Sequence, residues 1–568
     1  MRLSKNFTKT QKNKPANEAS RNAQLLIQAG YIHKELAGVY AYLPLGVRVI
    51  ENIKKIVREE MNAIDGQEVV MTALQPRELW EKTDRWDDAK VDNWFKTKLA
   101  NGTELGVGLT HEEPVVDVLL DYVSSYKDLP LFVYQIQTKF RNELRAKSGL
   151  LRGREFIMKD MYSFALDQKQ HDELYEQVAG AYKRIYEQLG LGDVTFRVKA
   201  DGGIFTERYS DEFQTISDIG EDTLFMVPST GQYFNQEVAP SKAPSVDSND
   251  ERKPMEEVVG KGIIGVDELS KFLKIPVEQT TKTMLYESED GRIIAAAVRG
   301  GGYEINEIKL RKVTNTKKLK LASEEVVKRV TGAEVGYAGL LGLSEEVEVF
   351  VDESCANRVN FEMGANKTNS HNINVNWGRD LPEPDNFVDI KLAKEGDLHP
   401  DTNEVYETKR AVEVGNIFPL ETKYSDALGL AYSDKEGKKQ SVIMGCYGVG
   451  ISRLMGVIAE HFSDTKGLCW PAAIAPAQLH LISIGANEQA ESIYQEFLRE
   501  GIEVIYDDRD LRPGEKFADA DLLGIPTSLI VSKRSLDAGK HEFITRSNGE
   551  KRELSIEEIV VELGKNNV

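Results

Sequence analysis

Cysteine is scarce in this 568-residue chain: Cys355, Cys446 and Cys469 are its only three. Their odd number and wide spacing exclude a disulfide framework and a CxxC-type or four-cysteine zinc site, and they suit a reducing compartment. No apolar run approaches the ~18 residues a membrane span needs. Met1-Arg2-Leu3-Ser4-Lys5-Asn6 lacks the apolar stretch of a secretory signal. A soluble, cytoplasmic protein with no membrane partner is expected. Positive charge is also short, 72 Lys and Arg against 92 Asp and Glu for a net charge of -20, so the chain is no general nucleic-acid coat and any such contact falls to local patches.

What is present is length and periodicity. A chain of this size outgrows one core and implies three or four domains. Ile50, Ile53, Val57, Met61 and Ile64 recur on one helical face over residues 48–64. Asp65-Gly66 then stops the helix, and a short strand over Glu68 to Met71 follows. That helix and strand fit either an ordinary core or the contact with a second subunit. His171 to Gly190 repeats the helical spacing and ends on glycine. Residues 239–254, rich in Pro, Ser, Asp, Asn and Lys, read as a linker.

From about 256 to 400 the pattern is self-contained, with helices at Val266 to Leu273 and Glu324 to Val330 and strands at Thr283 to Glu287, Ile293 to Val298 and Val347 to Asp352. Chemistry-bearing motifs resume only after residue 411, so this block reads as an insertion. The last hundred residues alternate strand and helix from Leu479 to Val531, a small separate α/β domain.

Two arginine-bearing segments stand out. Arg141 ends the strand-like run from Leu131 and shares Phe140-Arg141-Asn142-Glu143 with Glu143, two residues on and expected on the same side of a strand. Arg453 closes Gly448-Val449-Gly450-Ile451-Ser452-Arg453, expected as a Gly-rich turn before the apolar run Leu454 to Ala459. Guanidinium forks suit phosphate oxygens, and the pair is placed to hold a nucleotide triphosphate from both ends. The second segment lacks the Gly-Lys-Ser/Thr ending of a P-loop and the spacing of a dinucleotide fold. Arg152 and Phe156, in the basic loop Gly149 to Phe156, offer a charged and an aromatic face to a purine.

These segments, in this order, resemble the three motifs of the class II aminoacyl-tRNA synthetases, at Gly46 to Pro76, Phe140 to Phe164 and Gly445 to Glu460. The finer resemblance, over nearly the whole chain, is to the bacterial type of prolyl-tRNA synthetase. It is carried by Thr110-His111-Glu112-Glu113, Met158 to Phe164, Glu413 to Phe418, Thr422 to Ser425, Met444 to Gly448 and Arg512-Pro513-Gly514. The resemblance implies a mixed α/β and α+β multidomain chain. Its parts are an antiparallel-sheet catalytic domain over 1–223 and 408–475, an inserted α+β editing domain over 224–407, and an α/β anticodon-binding domain over 476–568.

The resemblance further implies ATP, with Mg²⁺, as the activating cofactor, no structural zinc, and proline and tRNA(Pro) as partners of a homodimer. Arg141 and Arg453 become the catalytic pair. Arg141, Glu143, Arg152, Phe156, Gln214, Thr215 and Arg453 are expected at ATP, and Thr110, Glu112, Arg141 and Cys446 at proline. A Thr-His-Glu-Glu-Pro run taken alone reads as a helix cap. Editing falls to Lys282, Asp352 and His371, and Arg509, Arg512 and Lys516 are candidates for the anticodon. The chain departs from the family pattern at Gly300 to Glu304, where an Asp-His pair is usual, at Asn416, and at Asp211 to Gln214, which lacks a leading His. Rival readings are a threonyl, seryl or histidyl enzyme and a non-catalytic tRNA-binding relative. Against the threonyl enzyme, no Cys and His zinc set surrounds Cys446 in sequence.

Overall fold

A computed structural model describes residues 1–146, 148–203, 205–206, 208–246 and 250–564. Helix α1 (Pro44–Asn62) has proline in its first turn and buries Val49, Ile50, Ile53, Val57 and Met61, the face picked out by the 3.6-residue spacing. Asp65, left-handed at φ 61°, then turns the chain into β1 (Gly66–Glu68). The expected strand Glu68 to Met71 is therefore displaced toward the helix. Gly66, Gln67 and Glu68 pair in parallel with Phe132, Val133 and Tyr134. Val69 N–H still reaches the Tyr134 carbonyl at 2.8 Å, and Val70 then projects into solvent, 91% exposed.

Eight further strands join β1: β2 (Leu131–Phe140), β3 (Glu155–Ala165), β4 (Thr195–Ala200), β5 (Ser210–Ile216), β6 (Asp222–Val227), β7 (Gln232–Asn235), β8 (Glu407–Glu421) and β9 (Ile443–Gly450). Their spatial order is β5-β4-β7-β6-β8-β9-β3-β2-β1, with β5 also paired to β8. Neighbours run antiparallel except for the parallel pairs β1–β2 and β4–β7. Side chains alternate between two apolar layers, as a pleated strand requires. Phe132, Tyr134, Met161 and Tyr447 join the core of α1. Val133, Tyr162, Phe164 and Cys446 join the core of α2 (Glu112–Leu119). Helices α3 (Gln168–Gln188) and α4 (Ile451–His461) complete the first layer.

The insert leaves from β7 and returns into β8. It holds a four-stranded sheet, in the order Leu319–Leu321, Thr281–Ser288, Ile293–Arg299 and Val347–Val351, and a three-stranded one, Glu256–Val259, Ser370–Val375 and Phe361–Gly364. The expected boundary at residue 224 falls inside β6, because β6 and β7 are ladder strands of the catalytic sheet and the insert starts only beyond Asn235. The expected linker is not a free one either. Ala239, Ser241 and Ala243 are buried, Lys242 bridges to Leu398, and the Lys309 ammonium donates to the Ala239 carbonyl at 2.6 Å. Residues 247–249 of that stretch lie outside the described residues.

The last unit is a five-stranded sheet in the order Val504–Asp507, Leu479–Ile484, Thr527–Ser532, His541–Thr545 and Lys551–Leu554. The first three are mutually parallel, and the helices Asn487–Arg499 and Pro513–Leu523 follow the first two strands in sequence. Trp470 Nε1 donates to Tyr31 Oη (2.9 Å), which donates to the Leu523 carbonyl (2.7 Å), tying this unit to the first. Among the described residues no helix is long and apolar enough to cross a membrane.

Candidate active site

A cleft of about 300 Å³ opens among β3, β6, β8 and β9, and Arg141 and Arg453 both line it, with Glu143, Arg152, Phe156 and Glu413. Arg453 does not sit in a Gly-rich turn. The glycines complete β9, since a Cβ on Gly448 would stand 2.8 Å from Asn416 Oδ1 on β8, and α4 begins directly at Ile451. Arg453 thus lies in the first turn of a helix whose amide N–H groups also favour an anion. Its Nε donates to the Leu151 carbonyl (2.8 Å) and its Nη1 to the Glu413 carbonyl (2.5 Å).

Arg141 and Glu143 are not on a strand, because β2 ends at Phe140. Arg141 N–H donates to the Arg154 carbonyl and Glu143 N–H to the Arg141 carbonyl, both at 2.8 Å, a tight turn that keeps the two side chains in the cleft. The Arg141 guanidinium lies 5.3 Å over the Phe156 ring and has no hydrogen-bonding or ion-pair partner among the described residues. Burial lowers its pKa, Glu413 opposes that shift and Arg453 adds to it. A guanidinium left so beside a second one suits an anion. Arg152 spans Glu143 (2.9 Å) and Glu221 (3.0 Å) at the rim.

Of the nearby carboxylates Glu221, Asp222 and Glu413 line the cleft, whereas Glu212 and the expected Gln214 do not and reach it only through Asp222. Glu212 is pushed up to about 8 by burial and by the proximity of Glu413. Gln214 Nε2 donates to both Glu212 (2.8 Å) and Asp222 (2.7 Å), and its buried Oε1 has no partner among the described residues. Asn416, at a departure from the family pattern, donates to Glu413 at 2.7 Å. Thr215 points to the other face of β5, its hydroxyl 2.9 Å from that of Thr195, so its side chain is not brought into the cleft. Among the described residues no three His, Cys, Asp or Glu side chains gather as a metal site.

Thr110, Glu112 and Cys446 meet in a buried cluster. Thr110 Oγ1 is 2.8 Å from each Glu112 carboxylate oxygen, and Cys446 Sγ is 3.2 Å from Oε1. Arg85, missed by the sequence reading, reaches Glu112 (3.2 Å) and Glu113 (3.0 Å) through Nη1. Its guanidinium sits 4.8 Å from the Trp80 ring and 5.4 Å from those of Phe205 and Tyr424. No local signal marks it, since its partners lie 27 and 28 residues away. Glu413 too is not among the expected site residues, although it stands first in the family-like stretch Glu413 to Phe418.

The three editing candidates do not converge. Asp352 is fully buried, and its carboxylate accepts N–H groups of Ser354 (2.9 Å), Ile390 (2.8 Å) and Lys391 (2.9 Å). His371 lies between Glu362 (2.9 Å) and the Ile263 carbonyl (3.0 Å), and half-buried Lys282 pairs with Glu304. Of the anticodon candidates, Arg512 is exposed. Arg509 is engaged by Asp507 (2.7 Å) and Asp519 (2.9 Å). Lys516 is buried, donating to the carbonyls of Ser483 (2.8 Å) and Asp507 (3.2 Å), so it is a structural lysine.

Residues 95–462 match the model of the tRNA synthetase class II core domain (G, H, P, S and T), and residues 473–566 that of an anticodon binding domain. The chain is 40% identical over 570 residues to a proline–tRNA ligase of Bacillus subtilis, covering 100% of both. It is 39% identical over 565 residues to one of Bacillus cereus, covering 98% of both. Among solved structures, a prolyl-tRNA synthetase of Cryptosporidium parvum complexed with L-proline and AMP shares the fold at a TM-score of 0.54 and 14% identity. That match covers 96% of this chain and 75% of the other.

Proposed function

The chain belongs to the proline–tRNA ligase family of class II aminoacyl-tRNA synthetases, activating proline with ATP and charging tRNA, and on that premise we propose that the Arg141–Arg453 cleft is where prolyl-adenylate forms. The observation carrying this reading is the convergence of the two guanidiniums on one cleft, Arg141 unpaired. The proline carboxylate, ionised at pH 7 without a base, attacks the α-phosphorus. A carbonyl C–O–P anhydride forms as the bond to the pyrophosphate oxygen breaks. Arg141 holds the α-phosphate and the substrate carboxylate, and Arg453 the γ-phosphate end of the pyrophosphate, the leaving group on which charge develops. Phe156 and Arg152 flank the adenine, with Glu143 and Gln214 behind them. The 3′-terminal ribose hydroxyl of tRNA(Pro) then attacks the acyl carbon and AMP leaves.

Glu413 and Asp222, which both line the cleft, would hold a magnesium ion bound with the nucleotide. Mg²⁺ takes one or two carboxylates and phosphate oxygens, and both carboxylates face the cleft in which the phosphates would lie. When bound, the ion offsets phosphate charge. Thr110, Glu112 and Cys446 form the imino-acid slot, Glu112 taking the secondary ammonium. Pyrophosphate exchange into ATP with a panel of amino acids tests the whole assignment, and exchange driven by threonine rather than proline would sink it.

A proline slot excludes larger side chains but not alanine, since a methylene is worth about 1–3 kcal/mol. We therefore read the insert as a deacylase for alanyl-tRNA(Pro), with Lys282 offered to the terminal adenosine, while Asp352 and His371, already engaged by Ser354, Ile390, Lys391, Glu362 and Ile263, serve the fold around it. Accumulation of alanyl-tRNA by Lys282→Ala tests it. The enzyme is read as a cytoplasmic homodimer, the second copy meeting the open edge of β1 beside exposed Val70.

A further inference from the structure

Beneath the Thr110–Glu112 loop lies a buried circuit that the adenylation chemistry does not use. His111 stands between the two residues and is fully buried. Its Nδ1 is 2.7 Å from Lys139 Nζ and its Nε2 3.0 Å from the Thr72 carbonyl. An ammonium can only donate, so Nδ1 accepts, Nε2–H donates, and the ring is held neutral in one tautomer. Burial, with Lys139 adding to it, pushes the His111 pKa down to about 4.

Lys139 also pairs with Asp160 Oδ1 at 2.8 Å. Asp160 Oδ2 accepts from Gln135 Nε2 and Tyr162 Oη, each at 2.9 Å. Tyr162 Oη in turn accepts the His111 backbone N–H at 3.1 Å. Side chain and backbone of His111 are thus both tied to Asp160, through groups on β2 and β3. Well-packed apolar residues of similar volume are often no less stabilising than a buried ion pair, so stability alone does not account for the circuit, and orientation of the loop does.

We propose that His111, clamped by Lys139 and Tyr162, is a positioning residue for substrate selection. It fixes the non-helical backbone at position 111 (φ -138°, ψ 26°), which aims the Thr110 hydroxyl and the Glu112 carboxylate at the imino acid. This rests on reading Thr110 and Glu112 as the proline slot.

The test uses the full-length enzyme and its His111→Leu, His111→Gln and Tyr162→Phe variants in pyrophosphate exchange, titrating proline, alanine and ATP separately. His111→Leu raises KM for proline by about tenfold, as misplacement of substrate-binding groups does, while KM for ATP stays within about twofold. It also raises the kcat/KM of alanine relative to proline. Tyr162→Phe, which keeps the packing, shifts the same quantities less. His111→Gln, retaining an acceptor for Lys139 and a donor for Thr72, recovers most of the loss. An unchanged KM for proline in folded variants, an equal rise for ATP, or Gln no better than Leu overturns the proposal. If His111→Leu fails to fold, Tyr162→Phe and His111→Gln decide it. No proline-dependent exchange by the unsubstituted enzyme would remove the slot reading itself, and this proposal with it.

Discussion

Arg85 Nη1 stands 3.2 Å from Glu112 and 3.0 Å from Glu113, so one guanidinium bridges two buried carboxylates in the first turn of α2. Removing it leaves both acids buried without a cation, a loss of about 3–5 kcal/mol. Arg85→Met is expected to lower the urea midpoint, read by tryptophan emission beside Trp80, and to raise KM for proline. Arg85→Lys keeps the charge but not the planar fork among Trp80, Phe205 and Tyr424, and should recover only part. A midpoint unmoved in Arg85→Met would show that the two carboxyls are satisfied by other means.

Arg453 is anchored through Nε and Nη1 by the Leu151 and Glu413 carbonyls, so the guanidinium is positioned before substrate arrives. Arg453→Ala should reduce proline-dependent pyrophosphate exchange by on the order of 10²-fold or more, the scale of losing one preorganised charge-stabilising donor. tRNA binding in a filter assay should stay within about twofold. Exchange within threefold of the parent would refute the role given to it.

Much of the fold was legible because its signals are local. The periodic face of α1 and the strand–helix alternation from Leu479 onward depend on neighbours three, four or two residues apart, and the structure carries them at nearly the expected bounds. Both cleft arginines were legible through their motif contexts. What escaped depends on distant partners. Asp352 is consumed by N–H groups 38 and 39 residues on, and Lys516 by a carbonyl 33 residues back. Gly448 reads as part of a turn because its reason for being small, the Asn416 side-chain oxygen 2.8 Å from where a Cβ would stand, is written in another strand.

His480 gives the chain a pH dependence. It is fully buried on Leu479–Ile484, an inner strand of the last sheet, neither ring nitrogen has a partner among the described residues, and burial pushes its pKa down to about 4. The unfolded chain takes up this proton near pH 6.5, whereas the native one does not until about 4. The unfolded state therefore binds more protons in that window, and stability is full above about 6.5 and falls as pH drops toward 4. The loss is up to about 3 kcal/mol, at about 1.4 kcal/mol per pKa unit. Urea titrations at pH 7.5 and 5 should show it, and His480→Leu should remove its share of the difference, leaving that of His111, whose pKa burial likewise pushes down to about 4. An equally steep dependence in that variant would assign the effect elsewhere.

Arg512 and Lys516 stand four residues apart at the start of one helix yet should respond in opposite ways. Lys516 is buried and its ammonium is spent on two backbone carbonyls. Lys516→Ala leaves both acceptors unpaired and should destabilise the last unit by about 1–3 kcal/mol. Arg512 is exposed, beside the opening formed by Asn487, Asp510, Leu511 and Pro513. A single exposed arginine against an RNA backbone contributes through counterion release. Arg512→Ala should therefore leave the urea midpoint unchanged, weaken tRNA binding and lower the slope of log affinity against log salt by roughly one. Affinity insensitive to Arg512 at all salt concentrations would move the RNA-binding surface away from this helix start. A stability loss in Arg512→Ala would mean that its side chain serves the fold, as that of Lys516 does.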